Sequence, residues 1–260
     1  MRRVIMSTFI LVSVLSTMAL PAHAVLGGQR DGTTHPNVGC VVPRFPDGSF
    51  GSCATGQLVS STVVVTAAHV TSSISANGLR AFVSFDPHFD PATSTMIRAK
   101  SVATDPDWNP TNSSNDVGVI VLSTPVEGVT PIELPTQGLL RQMTKAGTLQ
   151  RQEFVTVGYG VSHCSSNGCG GSNTRRHGAE SMSSVGAWDI HMQLNTTATG
   201  LGGVCFGDSG GPHFLGGSNL SVGVTSWVES NGHVCQSTGG VQRLDTPSVR
   251  SFLSAYVTLP

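Results

Sequence analysis

Charged residues are scarce in this sequence, at 11% of the chain, and no segment has the dense basic character of a nucleic-acid-binding protein. The 14 lysines and arginines are slightly outnumbered by the 15 aspartates and glutamates. Removing residues 1–24, which hold two arginines and no acid, leaves 12 basic residues against 15 acidic ones, a net charge of −3. We therefore expect no nucleic-acid partner.

Long apolar segments are missing beyond residue 24, which excludes a later membrane-spanning helix. Before that point, two arginines precede a mostly apolar run at residues 4–20, and Ala22 and Ala24 complete the order of a secretory signal peptide. A membrane anchor is the alternative, but serines and threonines interrupt the run and no basic stop-transfer segment follows. We expect a signal peptide at residues 1–24, cleaved after Ala24, and a secreted, extracellular protein with no membrane contact after cleavage.

Strand and helix signals do not alternate along the chain, which argues against an α/β fold. Short β-branched runs recur instead between turn residues, which predicts an all-β protein of antiparallel sheets or barrels. These runs are QLVSSTVVVTAAH, RAFVSF, DVGVIVL, EFVTVGYG and SVGVTSWV. Helical periodicity is convincing only at residues 246–257, where we expect a C-terminal helix that packs on the core. A segment without strand character at 135–145 suggests two halves, at roughly 25–135 and 136–245.

Paired C-x-x-C motifs are missing, which argues against a structural metal site. Six cysteines in an exported chain suggest three disulfides, although six cysteines allow many pairings. Two of the pairs enclose short segments with turn signals, and the third is what remains. The pairs favoured in this way are Cys40 with Cys53, Cys164 with Cys169, and Cys205 with Cys235.

The segment GDSGGP, at residues 207–212, contains the candidate nucleophile Ser209. A serine hydroxyl is a weak nucleophile until a neutral imidazole accepts its proton, and that imidazole needs an acceptor on its other nitrogen. His69 follows a β-branched run and Asp116 begins another, so each lies where a strand meets a loop. The segment also fits the G-x-S-x-G elbow of α/β hydrolases, but Pro212 and two glycines follow where that elbow requires a helix.

At these residues the chain resembles the chymotrypsin-like serine endopeptidases. The matching pieces are VLGG at 25–28, TAAH ending at residue 69, NDVGVIVL at 115–122, GDSGGP at 207–212, and SW at 226–227. They follow the family's His, Asp, Ser order, whereas α/β hydrolases and subtilisins use other orders. The resemblance implies two packed antiparallel six-stranded β-barrels with a C-terminal helix. It also implies a hydrolase that cleaves peptide bonds through an acyl-enzyme intermediate.

The resemblance assigns roles to particular residues. Ser209 would attack the scissile carbonyl, His69 would transfer the proton, and Asp116 would orient His69. The backbone N–H groups of Gly207 and Ser209 would form the oxyanion hole, and Ser226 would donate a hydrogen bond to Asp116.

A further role falls to the start of the mature chain. In the family, an N-terminal ammonium freed by proteolysis pairs with the acid before the nucleophile, which here would join Val25 to Asp208. Because the predicted signal cleavage falls directly before Val25, signal removal itself would create the active terminus. Cleavage two residues earlier would leave a dipeptide to be trimmed. The chain departs from the family at Val70, where a cysteine is usual, and this favours the partnership of Cys53 with Cys40.

The expected substrate pocket also departs from the trypsin-like pattern. Gly203 stands where trypsin-like members have an aspartate, so a lysine or arginine substrate would lack a partner. Val228 stands where large-pocket members have glycine, which favours cleavage after small or medium aliphatic residues, as in elastase-type members. The alternative is a broad pocket, because Gly203 and Gly240 leave depth. The predicted pocket residues are Gly203, Val204, Phe206, Trp227, Val228 and Gly240.

The remaining candidate ligands show no pattern of a metal centre. Asp86 and Asp90 are too few carboxylates for a calcium loop, and the other histidines lack paired spacing, so we predict no metal site and no cofactor. Those histidines are His35, His88, His163, His177, His191, His213 and His233. Asn112, Asn195 and Asn219 begin N-glycosylation sequons. We expect a monomer that binds protein or peptide substrates and protein inhibitors. The alternatives are an esterase and a catalytically silent homologue that serves as a binding or adhesion module.

Overall fold

The computed structural model describes residues 25–165, 168–229 and 234–260, so the predicted signal peptide lies outside the described residues. The strands are β1 (Gln29–Arg30), β2 (Val38–Arg44), β3 (Ala54–Ser60), β4 (Val63–Thr66), β5 (Arg80–Ser84), β6 (Ile97–Thr104), β7 (Gly118–Leu122), β8 (Phe154–Gly158), β9 (His163–Ser165), β10 (Gly168–Gly170), β11 (Arg176–Val185), β12 (Asp189–Gln193), β13 (Pro212–Leu215), β14 (Ser221–Val228) and β15 (Thr238–Arg243). The helices are α1 (Ala68–Ala76), α2 (Leu139–Lys145), α3 (Thr196–Thr199) and α4 (Pro247–Leu253), with a 3₁₀ turn at Leu149–Arg151.

The first barrel closes from six antiparallel strands in the order β2-β3-β4-β7-β6-β5. Its β-branched runs alternate, so that one set of side chains points inward and the register places Val64 opposite Ile120. An apolar cluster fills the interior. It includes Val41, Leu58, Val64, Ile74, Val83, Ile120 and Leu122. Burying each of these larger side chains contributes about 1.5 to 3 kcal/mol.

The second barrel closes in the order β8-β11-β12-β15-β14-β13, because β8 pairs with both β11 and β13. Strand β1 adds to it at β11, with Gln29 opposite His177. This confirms the chymotrypsin-like fold of two six-stranded barrels. The interior contains Ile190, Met192, Leu194 and Val241, and also two buried polar side chains, Glu180 and His213.

The two barrels and the C-terminal helix share one apolar cluster. Val65 and Val119 of the first barrel, Val224 of the second, and Val249 and Leu253 of α4 all belong to it. The helix is present as predicted but is shorter than residues 246–257, since regular helix ends at Leu253 and the next residues continue as a turn. Thr246 occupies the N-cap position with an extended backbone, yet its side chain makes no capping hydrogen bond.

Three disulfides hold the loops around this framework, and the described cysteines are all paired. Cys40–Cys53 joins β2 to the segment before β3, Cys164–Cys169 spans the β9–β10 hairpin, and Cys205–Cys235 connects the segment before Ser209 to the one before β15. Across the described residues, none of the helices combines the length and apolar character needed to cross a bilayer.

Candidate active site

His69 lies in the first turn of α1, directly behind a buried strand. The run VVVT forms β4, all four residues of which are buried, and it brings the chain to the rim of the first barrel. Helix α1 then begins at Ala68, so His69 is on a helix and not in the loop that its sequence position suggested. Its side chain keeps 37% of its surface exposed, so the ring is anchored on one side and open on the other.

Asp116 is the partner that anchors this ring, and it is almost fully buried just before β7. Its Oδ2 lies 2.8 Å from His69 Nδ1, and its Oδ1 accepts a hydrogen bond of 2.9 Å from the backbone N–H of His69. Ser226 Oγ donates to Oδ2 at 2.6 Å, and the N–H of Asp116 donates to Gln242 Oε1 at 3.2 Å. Because Nδ1 faces the carboxylate, Nε2 is the nitrogen left to exchange a proton with another group.

Ser209 and His69 line the same cleft, which has a volume of about 290 Å³. Apolar side chains of the first barrel and the Cys40–Cys53 bridge form much of its wall. The lining includes Val41, Pro43, Cys53, Val70, Ile74 and Gly207. Within the described residues, Ser209 Oγ makes no hydrogen bond. In enzymes without substrate, such bonds are commonly long and tighten only in the Michaelis complex.

Two peptide units beside Ser209 are oriented by hydrogen bonds on their carbonyl side. The carbonyl of Phe206 accepts from Val161 N at 2.8 Å, and that of Asp208 accepts from Gly211 N at 2.8 Å. In a trans peptide the N–H points away from the carbonyl, so the N–H groups of Gly207 and Ser209 are directed away from these bonds. Neither N–H has a partner among the described residues. This arrangement leaves two donors beside Ser209.

Asp208 is the most deeply buried acid near Ser209. Its two carboxylate oxygens each accept a hydrogen bond of 2.9 Å, from the N–H groups of Gly160 and Cys205. Burial raises the pKa of Asp208 to about 7, against the opposing effect of these two bonds. The carboxylate also fills the space over Gly160, where an added Cβ would overlap it.

Val25 is buried, with a left-handed φ of 46°. The following residue, Leu26, forms an antiparallel bridge with Gly203, and its N–H donates to the carbonyl of Gly203 at 2.8 Å. Val25 Cγ1 lies against Gly178 and Gly202, where a side chain on either glycine would crowd it. The start of the described chain is thereby packed beside the segment that leads to Ser209.

A second histidine and carboxylate meet inside the second barrel, next to the segment that leads to Ser209. His213 Nδ1 lies 2.9 Å from Glu180 Oε2, and both side chains are completely buried. The two atoms are close but are not aligned as a hydrogen bond. Glu180 Oε1 accepts from Val204 N at 3.0 Å, and His213 Nε2 lies 2.9 Å from Thr225 Oγ1. Sequence analysis assigned no role to either residue.

Some of the predicted pocket residues lie beside Leu194, which sequence analysis did not identify. Gly203 packs against the backbone of Leu194, and Gly239 packs against its side chain, so the site of each missing Cβ is filled. The indole of Trp227 lies against Gly240 in the same manner. Val204 is buried, Val228 is half-buried, and Phe206 is 52% exposed at the rim. Leu194 has no motif of its own, and only its place in the fold identifies it.

The other candidate ligands serve local structure in most cases. Asp86 and Asp90 accept backbone hydrogen bonds within their own loop, and Asn195 caps the short helix α3. Asn112 accepts from Ser114 N, and Asn219 donates to the carbonyl of Pro131. His88, His163 and His191 contact Thr174, Ser162 and Asp189 respectively. His35 and His177 meet at Asp31, and His233 lies outside the described residues.

The sequence of this chain matches that of a known protein family. Residues 34–245 match the sequence model of the trypsin family, and the chain belongs to that family. Vitamin K-dependent protein C of Rattus norvegicus is 30% identical over 203 residues, which cover 69% of this chain and 41% of that protein. Fibrinolytic enzyme isozyme C of Lumbricus rubellus is 25% identical over 232 residues, covering 81% of this chain and 88% of that protein.

Solved structures agree on the fold. A structure of HL collagenase superposes with a TM-score of 0.64 at 19% identity, covering 90% of this chain and 94% of that chain. A structure of a protein called GrC has the same TM-score at 20% identity, covering 88% of this chain and 96% of that chain. The chain spans about two fifths of the length of the protein C relatives.

Proposed function

We propose that this protein is a secreted serine endopeptidase that uses His69, Asp116 and Ser209. The observation that carries the proposal is the anchored imidazole, with Nδ1 held 2.8 Å from Asp116 Oδ2 while the ring opens to the cleft that Ser209 also lines. An imidazole fixed in this way can accept a proton only through Nε2. Membership of the trypsin family supports the same assignment.

In the proposed reaction, Ser209 Oγ forms a bond to the scissile carbonyl carbon while its proton passes to His69 Nε2. The carbonyl oxygen becomes an oxyanion that accepts hydrogen bonds from the N–H groups of Gly207 and Ser209. The proton then moves from His69 to the leaving amine as the peptide C–N bond breaks. Water, activated by the same imidazole, hydrolyses the acyl-enzyme and restores Ser209. Asp116 stabilises the imidazolium that forms in each half-reaction.

The surroundings of Gly203 favour small or medium aliphatic residues on the acyl side of the cleaved bond. Gly203 offers no carboxylate to a cationic side chain, whose desolvation would then be uncompensated. Leu194 and Trp227 cover the glycines around it, and Val228 adds a β-branched side chain. Selectivity should be graded, because one methylene in such a pocket is worth about 1 to 3 kcal/mol. The earthworm relative, named for fibrinolysis, favours a protein substrate.

The proposal includes activation by removal of residues 1–24. A free ammonium at Val25 would supply the positive charge that the buried carboxylate of Asp208 lacks among the described residues. That pairing would favour the ionised carboxylate and stabilise the segment carrying Gly207 and Ser209. We expect the protein to act as a secreted monomer, with protein inhibitors able to occupy the same cleft.

The test is hydrolysis of a peptide library in which every residue type occupies the position before the cleaved bond. The enzyme is the chain beginning at Val25. Ser209→Ala should abolish cleavage, whereas Ser73→Ala, at an exposed position of the same cleft, should leave it unchanged. Cleavage after Val or Ala that disappears only in Ser209→Ala would support both mechanism and pocket.

Other outcomes would separate the parts of the proposal. Cleavage after Phe or Arg would keep the mechanism and overturn the pocket. Turnover of esters without peptides would identify an esterase. Absence of all turnover, with no labelling of Ser209 by a serine-directed covalent probe, would identify a binding module.

A further inference from the structure

We propose that Asp31, His35 and His177 form a binding site for a zinc ion, separate from the cleft. One carboxylate oxygen and one ring nitrogen from each histidine lie within 4.8 Å of one another. His35 Nδ1 is 2.5 Å and His177 Nδ1 is 3.0 Å from Asp31 Oδ1. Two imidazoles and one carboxylate, with a fourth position open to water, form a donor set that zinc commonly takes.

Asp31 is held so that only one of its oxygens faces the histidines. Its Oδ2 accepts from Arg175 Nε at 2.8 Å and from the N–H of His35 at 3.0 Å, while Oδ1 meets the two Nδ1 atoms. The carboxylate is therefore fixed with one oxygen directed at the two imidazoles.

Arg175 places a positive charge near the proposed ion, which is a cost to the site. That charge is spread over several acceptors. The guanidinium donates to the carbonyls of Gly32, Val38 and Phe85 and to the hydroxyl of Tyr159, as well as to Asp31. A fixed carboxylate supported by outer hydrogen bonds is the usual arrangement behind a metal ligand. We expect weaker binding than at a closed site of four protein ligands.

The two histidines are held in place and still reachable from solvent. The ring of His35 stacks on Phe214, with centroids 5.3 Å apart and planes 16° from parallel. His177 is fixed by its place on β11 opposite Gln29. Their side chains retain 22% and 28% exposure, whereas Asp31 is fully buried. An ion can thus enter from the histidine side and keep a water as its fourth ligand.

The choice of zinc over calcium or magnesium follows from the donor atoms. Calcium and magnesium prefer sites made of oxygen, and this cluster offers two nitrogens. Ligand atoms about 2 Å from a tetrahedral ion are separated by about 3.3 Å, so both histidines would need to move slightly away from Oδ1. The ion would join Asp31 and His35, near the start of the described chain, to β11 of the second barrel.

The competing explanation is that each Nδ1–H simply donates a hydrogen bond to Asp31, with no ion involved. Titration of the chain with Zn²⁺, followed by calorimetry, distinguishes the two. We expect one ion bound per chain in a His69→Gln background, which removes the imidazole of the cleft. Affinity should fall more than about tenfold on His35→Gln or His177→Gln. His191→Gln is the matched control, because His191 also contacts a carboxylate, at 2.8 Å from Asp189.

Two further readouts keep the test independent of activity and of folding. Co²⁺ in place of zinc should give the visible absorption of a four-coordinate site, lost in either ligand variant, and Ca²⁺ should not compete. Each variant must first match the parent in circular dichroism and ion-free thermal unfolding, and if one fails, the other histidine variant carries the test. Unchanged binding in a folded His35→Gln or His177→Gln chain would overturn the site, as would absence of binding in the parent. Neither result would affect the proposed peptidase.

Discussion

Two of the histidine–carboxylate contacts in this molecule have nearly equal lengths and opposite surroundings. His69 Nδ1 and Asp116 are 2.8 Å apart beside an open cleft, and His213 Nδ1 and Glu180 are 2.9 Å apart in the closed interior of the second barrel. The His69 side chain is 37% exposed, whereas His213 and Glu180 are both 0% exposed. Contact distance alone therefore does not distinguish a site of chemistry from a structural pair.

The partners of the two carboxylates show what does distinguish them. Asp116 receives donors from His69 and from Ser226, so the acid is satisfied and the outer nitrogen of the imidazole stays available. In contrast, one oxygen of Glu180 accepts a hydrogen bond from Val204 N, and both nitrogens of His213 face protein atoms. The first arrangement leaves one imidazole nitrogen free for proton transfer. The second leaves neither nitrogen free, so that pair can affect only the stability of the fold.

The largest expected effect comes from breaking the open contact. Asp116→Asn should lower kcat by about 10⁴-fold, because an amide cannot stabilise the imidazolium and favours the wrong tautomer of His69. Thermal unfolding should change far less than activity. Peptide hydrolysis and calorimetric unfolding of the same preparation measure both. Activity within tenfold of the parent would show that Asp116 does not support the chemistry.

Breaking the buried contact should have the opposite signature. His213→Leu should destabilise the fold by about 3 to 5 kcal/mol, because it leaves the Glu180 carboxylate buried beside an apolar side chain. Replacing both members, as Glu180→Met with His213→Leu, should recover most of that loss. Urea unfolding of the parent, both single variants and the double variant forms the required cycle. If the double variant is as unstable as the sum of the single ones, the two residues are not coupled.

A third prediction concerns Asp208, the buried acid that adjoins Glu180. Burial raises its pKa from 3.8 to about 7 while Val25 carries a peptide bond. The folded chain then holds the proton more tightly than the unfolded chain, so this stabilisation is complete below about pH 4 and is lost as pH rises towards 7. A chain beginning at Ala24 should lose stability over that window. A chain beginning at Val25 should lose less, because its ammonium pairs with the carboxylate.

The measurement is the free energy of unfolding of the two chains across that window, by urea titration. The same change in slope with pH in both would argue against an ion pair between Val25 and Asp208. Acetylation of Val25 provides a second control, since it removes the ammonium without lengthening the chain by a full residue.

The sequence patterns predict some strands of the fold and not others. The runs that form β4, β5, β7, β8 and β14 alternate or are continuously apolar, so the all-β class was predictable, and the family motifs carried the two-barrel fold. Strand β11 was not predictable, because its buried positions include Arg176, Gly178 and Glu180, which no hydrophobic pattern marks. Its place in the fold depends on pairing with β1, β8 and β12, which the local sequence does not reveal.

The same limit applies to side chains that meet only through the fold. His35 and His177 show no paired ligand spacing in the sequence. The pairing of β1 with β11 nevertheless brings His177 to Asp31, which His35 contacts from four residues away. Leu194 has no motif, and its position against Gly203 follows from the path of the chain after β12. Motifs identified the residues expected to react and the supporting Ser226, whereas Leu194 and the cluster at Asp31 required tertiary structure.

The smallest predicted effect refines the open contact without breaking it. Ser226 Oγ donates a 2.6 Å hydrogen bond to Asp116 Oδ2, the same oxygen that faces His69. A hydrogen bond to a charged group is worth about 1.5 to 3 kcal/mol, so Ser226→Ala should lower kcat/KM by about tenfold to a hundredfold. Ser226→Thr keeps a hydroxyl and should recover part of that loss. If Ser226→Ala changes KM alone, the hydroxyl serves substrate binding and not the orientation of Asp116, since loss of orientation would appear in kcat.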